Sequence, residues 1–135
     1  MSFDIYIGNA TIRNCPDENL LDLVVEKVTH PDSPVMPPDP ADKGWGDISG
    51  KTNGRHPGYL QMDYWAKEMG VHGVWFDKEI GLMRDHPGIQ PLKQCHLDSH
   101  IAAQKIHPDD FRLSWYIFWM KWALANCQFP AVYNH

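Results

Sequence analysis

Apolar residues alternate with polar ones at the start of the chain, where Phe3, Ile5 and Ile7 flank Asp4 and Tyr6 before Gly8-Asn9. A period of two is that of a half-buried strand, and Gly-Asn marks a turn at its end. "LLDLVVEKV", Leu20 to Val28, is apolar enough for a short helix, but its β-branched residues and the pre-proline His30 favour extended backbone. It is read as a second strand, antiparallel to the first. From His30 to Gly58 the chain is dense in proline and glycine, which predicts a long structured loop, the first place to look for a binding surface. The period then changes to that of a helix. Leu60, Tyr64 and Ala66 or Lys67 fall at helical offsets, and Gly70 supplies a stop.

Residues 71 to 90 read as irregular, around an apolar centre at Val74, Trp75 and Phe76. Pro91 suits the first position of a helix running to Ile106, and Pro108 repeats the arrangement for a last helix to Asn126. Asp109 and Asp110 complement the positive end of that last helix. Phe111, Trp115, Phe118, Trp119 and Trp122 make one stripe along it, and Leu113, Ile117, Met120 and Leu124 a second. Apolar residues on nearly all sides predict a helix buried at the centre of the fold, or at a contact between copies of the chain. The pattern as a whole predicts an α+β fold: a small N-terminal antiparallel β element packed on about three helices, with the tryptophan-rich C-terminal helix central.

Composition narrows the partners. At 135 residues the chain has the size of one domain, residues 1 to 135, with the proline- and glycine-rich loop inside it. A formal charge of -5 without a Lys/Arg cluster argues against duplex nucleic acid as a partner. Lys121 breaks the apolar run from Trp115 to Ala125 well short of a membrane span. Cys15, Cys95 and Cys127 are odd in number and widely spaced, which fits a reducing compartment, and the N-terminus lacks the features of a secretory signal. A cytoplasmic location is expected.

No complete catalytic or cofactor signature is present, and no cofactor is expected. "GWGDISGKT" departs from the phosphate-loop pattern because Trp45 stands where glycine is required, although its backbone amides with Lys51, Arg55 and His56 suit a bound anion. Four of the eight histidines precede proline, at positions 30, 56, 86 and 107, which places them at element boundaries. His96 and His100 are four apart on one helix face, half of a metal site but without the glutamate of a zincin helix, and no metal is assigned. Asp63, Asp77, Glu79 and Asp85 flank aromatic segments where acid/base chemistry would find carboxylates.

Four stretches, "FDIYIGNA", "VEKVTHPDSP", "GLMRDHPGIQPL" and "FWMKWALANCQFPAVYN", span nearly the whole chain. In them the sequence resembles a group of small proteins of bacteriophages and bacterial prophage genomes. The resemblance implies an accessory protein that binds or sequesters a host molecule, and it carries over no functional residue. The expected function is therefore binding, without turnover, of a polar and nucleotide-like small molecule. Trp115, Trp119 and Tyr133 are candidates to stack on a base, while Arg55, His56, Arg84 and His86 are candidates to meet negative groups. Two alternatives stand beside it: a small metal-assisted hydrolase using His96, His100 and a carboxylate, and an inhibitor that engages a host protein. Self-association through the last helix is compatible with each.

Overall fold

In the computed structural model, which describes residues 4–15, 20–35 and 51–135, the alternating N-terminal segment forms strand β1 (Ile5–Cys15). Ile5 and Ile7 point inward and are fully buried. The predicted turn at Gly8-Asn9 is instead the point where β1 changes partners. Residues 5 to 9 pair antiparallel with β5 (Pro130–Asn134), and residues 10 to 15 pair with β2 (Leu20–Val25). Gly8 permits a close approach here, since a Cβ at this position would lie 3.0 Å from Asn53 Nδ2 and 3.2 Å from Val25 Cγ1. The antiparallel pairing of the first two strands is as expected.

The sheet is larger than the N-terminal pattern implied. β3 (Gly54–Arg55) pairs with β1, and β4 (Gly88–Pro91) pairs with β5, so that the order runs β2-β1-β5-β4 with β3 on β1. Pro91 ends edge strand β4 rather than opening a helix, a position where its missing N–H costs no ladder bond. The helix that follows, α3 (Gln94–Ile106), starts three residues later. β2 also contacts β5 and β4, which brings the β1–β2 hairpin back over the sheet.

The helices cover the inner face. α1 (Tyr59–Met69) stops at Gly70, whose φ of 74° is left-handed and suits glycine. The short α2 (His72–Phe76) occupies a segment read as irregular, and buries Trp75. α4 (Phe111–Asn126) contacts β1 and β5 on one side and α3 on the other. Its buried residues Leu113, Trp115, Tyr116, Ile117, Trp119, Met120 and Ala123 make it the central element, and the fold is α+β. One apolar cluster runs from Ile5 through these side chains to Val132. No helix among the described residues is long and apolar enough to cross a membrane.

Asp110 lies just outside α4 as its N-cap, with Oδ1 accepting from Leu113 N at 3.0 Å, and its carboxylate also takes the Trp65 indole N–H at 3.3 Å. Replacing it by alanine removes both bonds at once. The expected loss is about 1–2 kcal/mol of unfolding free energy in urea titrations, whereas Asp110→Ser, which keeps the cap, should recover much of it. Equal stability of the alanine variant and the parent would contradict this role.

Candidate functional site

Four of the residues proposed from sequence lie inside the protein or at its turns rather than together on its surface. Trp115 is 2 % exposed and its indole donates to the Thr52 carbonyl at 3.2 Å; Trp119 is fully buried and donates to Ser33 Oγ at 3.0 Å. Both tryptophans thus fasten the long loop segments to α4. Arg55 is also interior, with its guanidinium 4.9 Å from the centroid of the Tyr116 ring and 5.7 Å from that of Trp115, a cation–π arrangement. His86 is exposed, and its Nδ1 hydrogen-bonds Asn134 Oδ1 at 2.7 Å. Asn134 in turn donates to the Leu82 carbonyl at 3.2 Å, so this histidine braces the end of β5.

His96 and His100 share a helix face, as their spacing implies, but they do not share a metal-binding geometry. His100 Nδ1 donates to the His96 carbonyl at 2.8 Å, and its Nε2 accepts the Trp75 indole N–H at 3.0 Å. Both ring nitrogens are engaged, and Trp65 and Tyr116 pack against the ring. Burial pulls its pKa down to about 4, so the imidazole is neutral at pH 7 with its proton on Nδ1. Among the described residues no group of three His, Cys, Asp or Glu side chains is placed to hold a metal ion.

Tyr133 lies at a different place, and His56 reaches its edge only through Asp4. On the outer face of the sheet, Tyr6, Tyr133 and Ile89 are directly opposed across β1, β5 and β4. The β1–β2 hairpin leans over this row and leaves a cleft of about 390 Å³ lined by Asp4, Tyr6, Arg13, Glu26, Lys27, Tyr133 and His135 together with Val24 and Val25 of β2. Its volume falls within the roughly 300–1,000 Å³ typical of small-molecule sites. His56 pairs with Asp4 at one end, and Arg13 pairs with Asp22 at 2.7 Å at the other. Lys27 Nζ sits 5.5 Å from the Tyr6 ring centroid, and His135 stacks on Tyr133 at 5.6 Å.

Local sequence explains this geometry. Tyr6 lies between inward Ile5 and Ile7, so the period of two turns it outward, and its ring lies flat along Gly54, where a Cβ would be only 2.3 Å from Tyr6 Cε1. Burial raises the pKa of the Tyr133 phenol, with the nearby Asp22 carboxylate the next cause, and the group therefore stays a neutral O–H that both donates and accepts. The cleft thus offers two phenols, an ammonium, a guanidinium paired with Asp22, the carboxylates of Asp4 and Glu26, and a face of aromatic rings. Such a surface suits planar, polar molecules.

The sequence reading named Tyr133 and His56 but missed Tyr6, Arg13, Lys27 and His135. Alternation in β1 carried the signal for Tyr6; β5, unread as a strand, hid its pairing with Tyr133. Arg84 lines a second cleft, of about 430 Å³, beside the start of α3. Its Nη1 donates to the Glu79 carbonyl at 2.8 Å. The glycine-rich segment 44–50 lies outside the described residues, while Lys51 beyond it is exposed. No protein-family model, curated protein or solved structure matches the chain.

Proposed function

We propose that the protein binds a nucleotide-like small molecule without turnover, in the cytoplasm, as an accessory protein of the phage or prophage type. The observation that carries this reading is the cross-strand pair Tyr6–Tyr133, roofed by the hairpin and attended by Lys27. A base stacks against the Tyr133 side of the pair. Lys27 meets its phosphate, and the phenol hydroxyls exchange hydrogen bonds with ring nitrogens or sugar oxygens. Among the described residues that line the cleft there is no nucleophile held by an adjacent base, which favours binding over chemistry.

Calorimetric titration with mononucleotides and cyclic nucleotides is expected to give saturable heat for at least one of them. Tyr133→Ala should weaken that ligand by about ten- to a hundredfold, the usual worth of one stacked base, without changing the circular dichroism spectrum. Silence across the whole panel would rule the reading out, as would undiminished binding by the alanine variant.

A further inference from the structure

Asp4 immediately precedes β1 and shares the outer face with Tyr6, since alternate residues of extended backbone point the same way. It exchanges both backbone hydrogen bonds with His135, Asp4 N to the His135 carbonyl at 2.7 Å and His135 N to the Asp4 carbonyl at 2.9 Å. Tyr6 stands opposite Tyr133 one step further along, so the Asp4–His135 pair and the tyrosine pair lie side by side in the wall of the sheet cleft. On the other side of β1, just past β3, His56 Nδ1 hydrogen-bonds Asp4 Oδ1. The Asp4 side chain is 26 % exposed, enough to reach the cleft while most of it is shielded from water. Its charge is also among the causes that raise the Tyr133 phenol, which places the carboxylate near the ring assigned to stacking. An ionised carboxylate has about four lone-pair sites and donates nothing, so His56 occupies one site and the rest can only accept.

We propose that the sheet cleft selects guanine among the nucleobases, with the Asp4 carboxylate accepting the N1–H and one N2–H of the base. This rests on the nucleotide reading above and adds to it which base is taken. An acceptor-only group beside a stacking face favours a planar ring that presents donors on its edge and disfavours one that presents acceptors there. Guanine places two adjacent N–H donors on its Watson–Crick edge. Adenine and cytosine set a bare ring nitrogen beside their amino group, and its lone pair would face the carboxylate. Uracil offers a single N–H between two carbonyl oxygens. A site built on a hydrogen-bonding group rejects analogues that leave that group unmatched, so Asp4 acts by exclusion as well as by attraction. Lys27, over the Tyr6 ring, remains for the phosphate.

The probes are the monophosphates of guanosine, inosine, adenosine and uridine, titrated calorimetrically at neutral pH. Guanosine monophosphate is expected to bind tightest, by about tenfold or more over adenosine monophosphate, the worth of one good bidentate contact. Inosine monophosphate, which lacks only the 2-amino group, should fall between them. Asp4→Asn is nearly isosteric and turns one oxygen into a donor; it should weaken guanosine monophosphate by about tenfold and leave adenosine monophosphate within about twofold of the parent. Tyr133→Ala, by contrast, should weaken all four alike. Equal affinities for the guanosine and adenosine nucleotides, a preference for adenosine, or an Asp4→Asn variant that changes both equally would overturn the selection of guanine while leaving nucleotide binding in place. Silence for all four probes would remove the nucleotide reading and this inference together. If Asp4→Asn does not fold, the ranking of guanosine, inosine and adenosine nucleotides by the parent protein decides the matter.

Discussion

Replacing Trp119 by alanine is expected to lower the unfolding free energy by about 3–5 kcal/mol. The side chain is fully buried in α4, packs edge-on against Phe118 and Trp122, and donates its indole N–H to Ser33 Oγ. Truncation removes the ring from the apolar cluster, leaves a void that the surrounding helix and sheet fill only in part, and strips a partner from a buried hydroxyl. Trp119→Phe separates the contributions, because it keeps most of the ring and loses the hydrogen bond; its expected cost is about 1–2 kcal/mol. Urea denaturation of both variants checks the pair. A ligand-contacting tryptophan would behave differently: alanine would weaken binding while stability changed by well under 1 kcal/mol, and that outcome would contradict the interior role assigned here.

Acidification is expected to destabilise the protein between pH 6.5 and pH 4, with His100 contributing about 3 kcal/mol across that window. The folded-state pKa of about 4 lies below the ordinary 6.5, so within the window the unfolded chain binds a proton at this residue and the folded chain does not. Unfolding free energy therefore rises with pH until about 6.5 and is level above it as far as this group is concerned. The physical cause is local. A proton on Nε2 would face the Trp75 indole N–H at 3.0 Å, donor against donor, in a site with no water exposure. His96, also shifted downward by burial, adds to the slope in the same direction. Asp63, hydrogen-bonded by His72 and Lys67, and Asp77, hydrogen-bonded by the Glu79 and Ile80 backbone, are shifted down from 3.8 and act only below the window. Urea unfolding at a series of pH values, with the His100 imidazole followed by NMR, tests the assignment. A ring that titrates near 6.5 while stability stays flat would refute it.

The three longer helices and the central place of α4 were legible because long amphipathic patterns are local, whereas the five-residue α2 was too short to show a period. Five of the seven buried side chains on α4 come from the two stripes visible in the sequence, Tyr116 and Ala123 being the others, and a helix apolar on nearly every side has nowhere to go but inside. The first two strands were legible for a similar reason, one from its alternation and the other from its β-branched residues. β4 and β5 were not, since "GIQP" and "PAVYN" are too short to show a period and carry prolines that argue against strand. Their pairing with each other and with β1 is a long-range event. Losing β5 from the reading also lost the outer-face row of Tyr6, Tyr133 and Ile89, and with it the cleft.

The candidate residues divide along the same line. Residue type identified Trp115, Trp119 and Arg55 as groups able to stack or to meet an anion, but the same properties suit an interior in which indole N–H groups find carbonyls and a guanidinium lies over rings. Chemistry alone does not separate a pocket wall from a core; burial does. His96 and His100 show the point most sharply, since four-residue spacing set both on one face, and the neighbouring Trp75 and Lys93 then gave one ring two bonds and the other a single bond beside a cleft. Sequence by itself determined the α+β class, the central helix and the outward direction of Tyr6, all consequences of periodicity within one segment. Tertiary structure alone decided which aromatic rings are sealed in and which line a cleft, because that depends on contacts between residues far apart in the chain, such as Trp119 with Ser33 and Tyr6 with Tyr133.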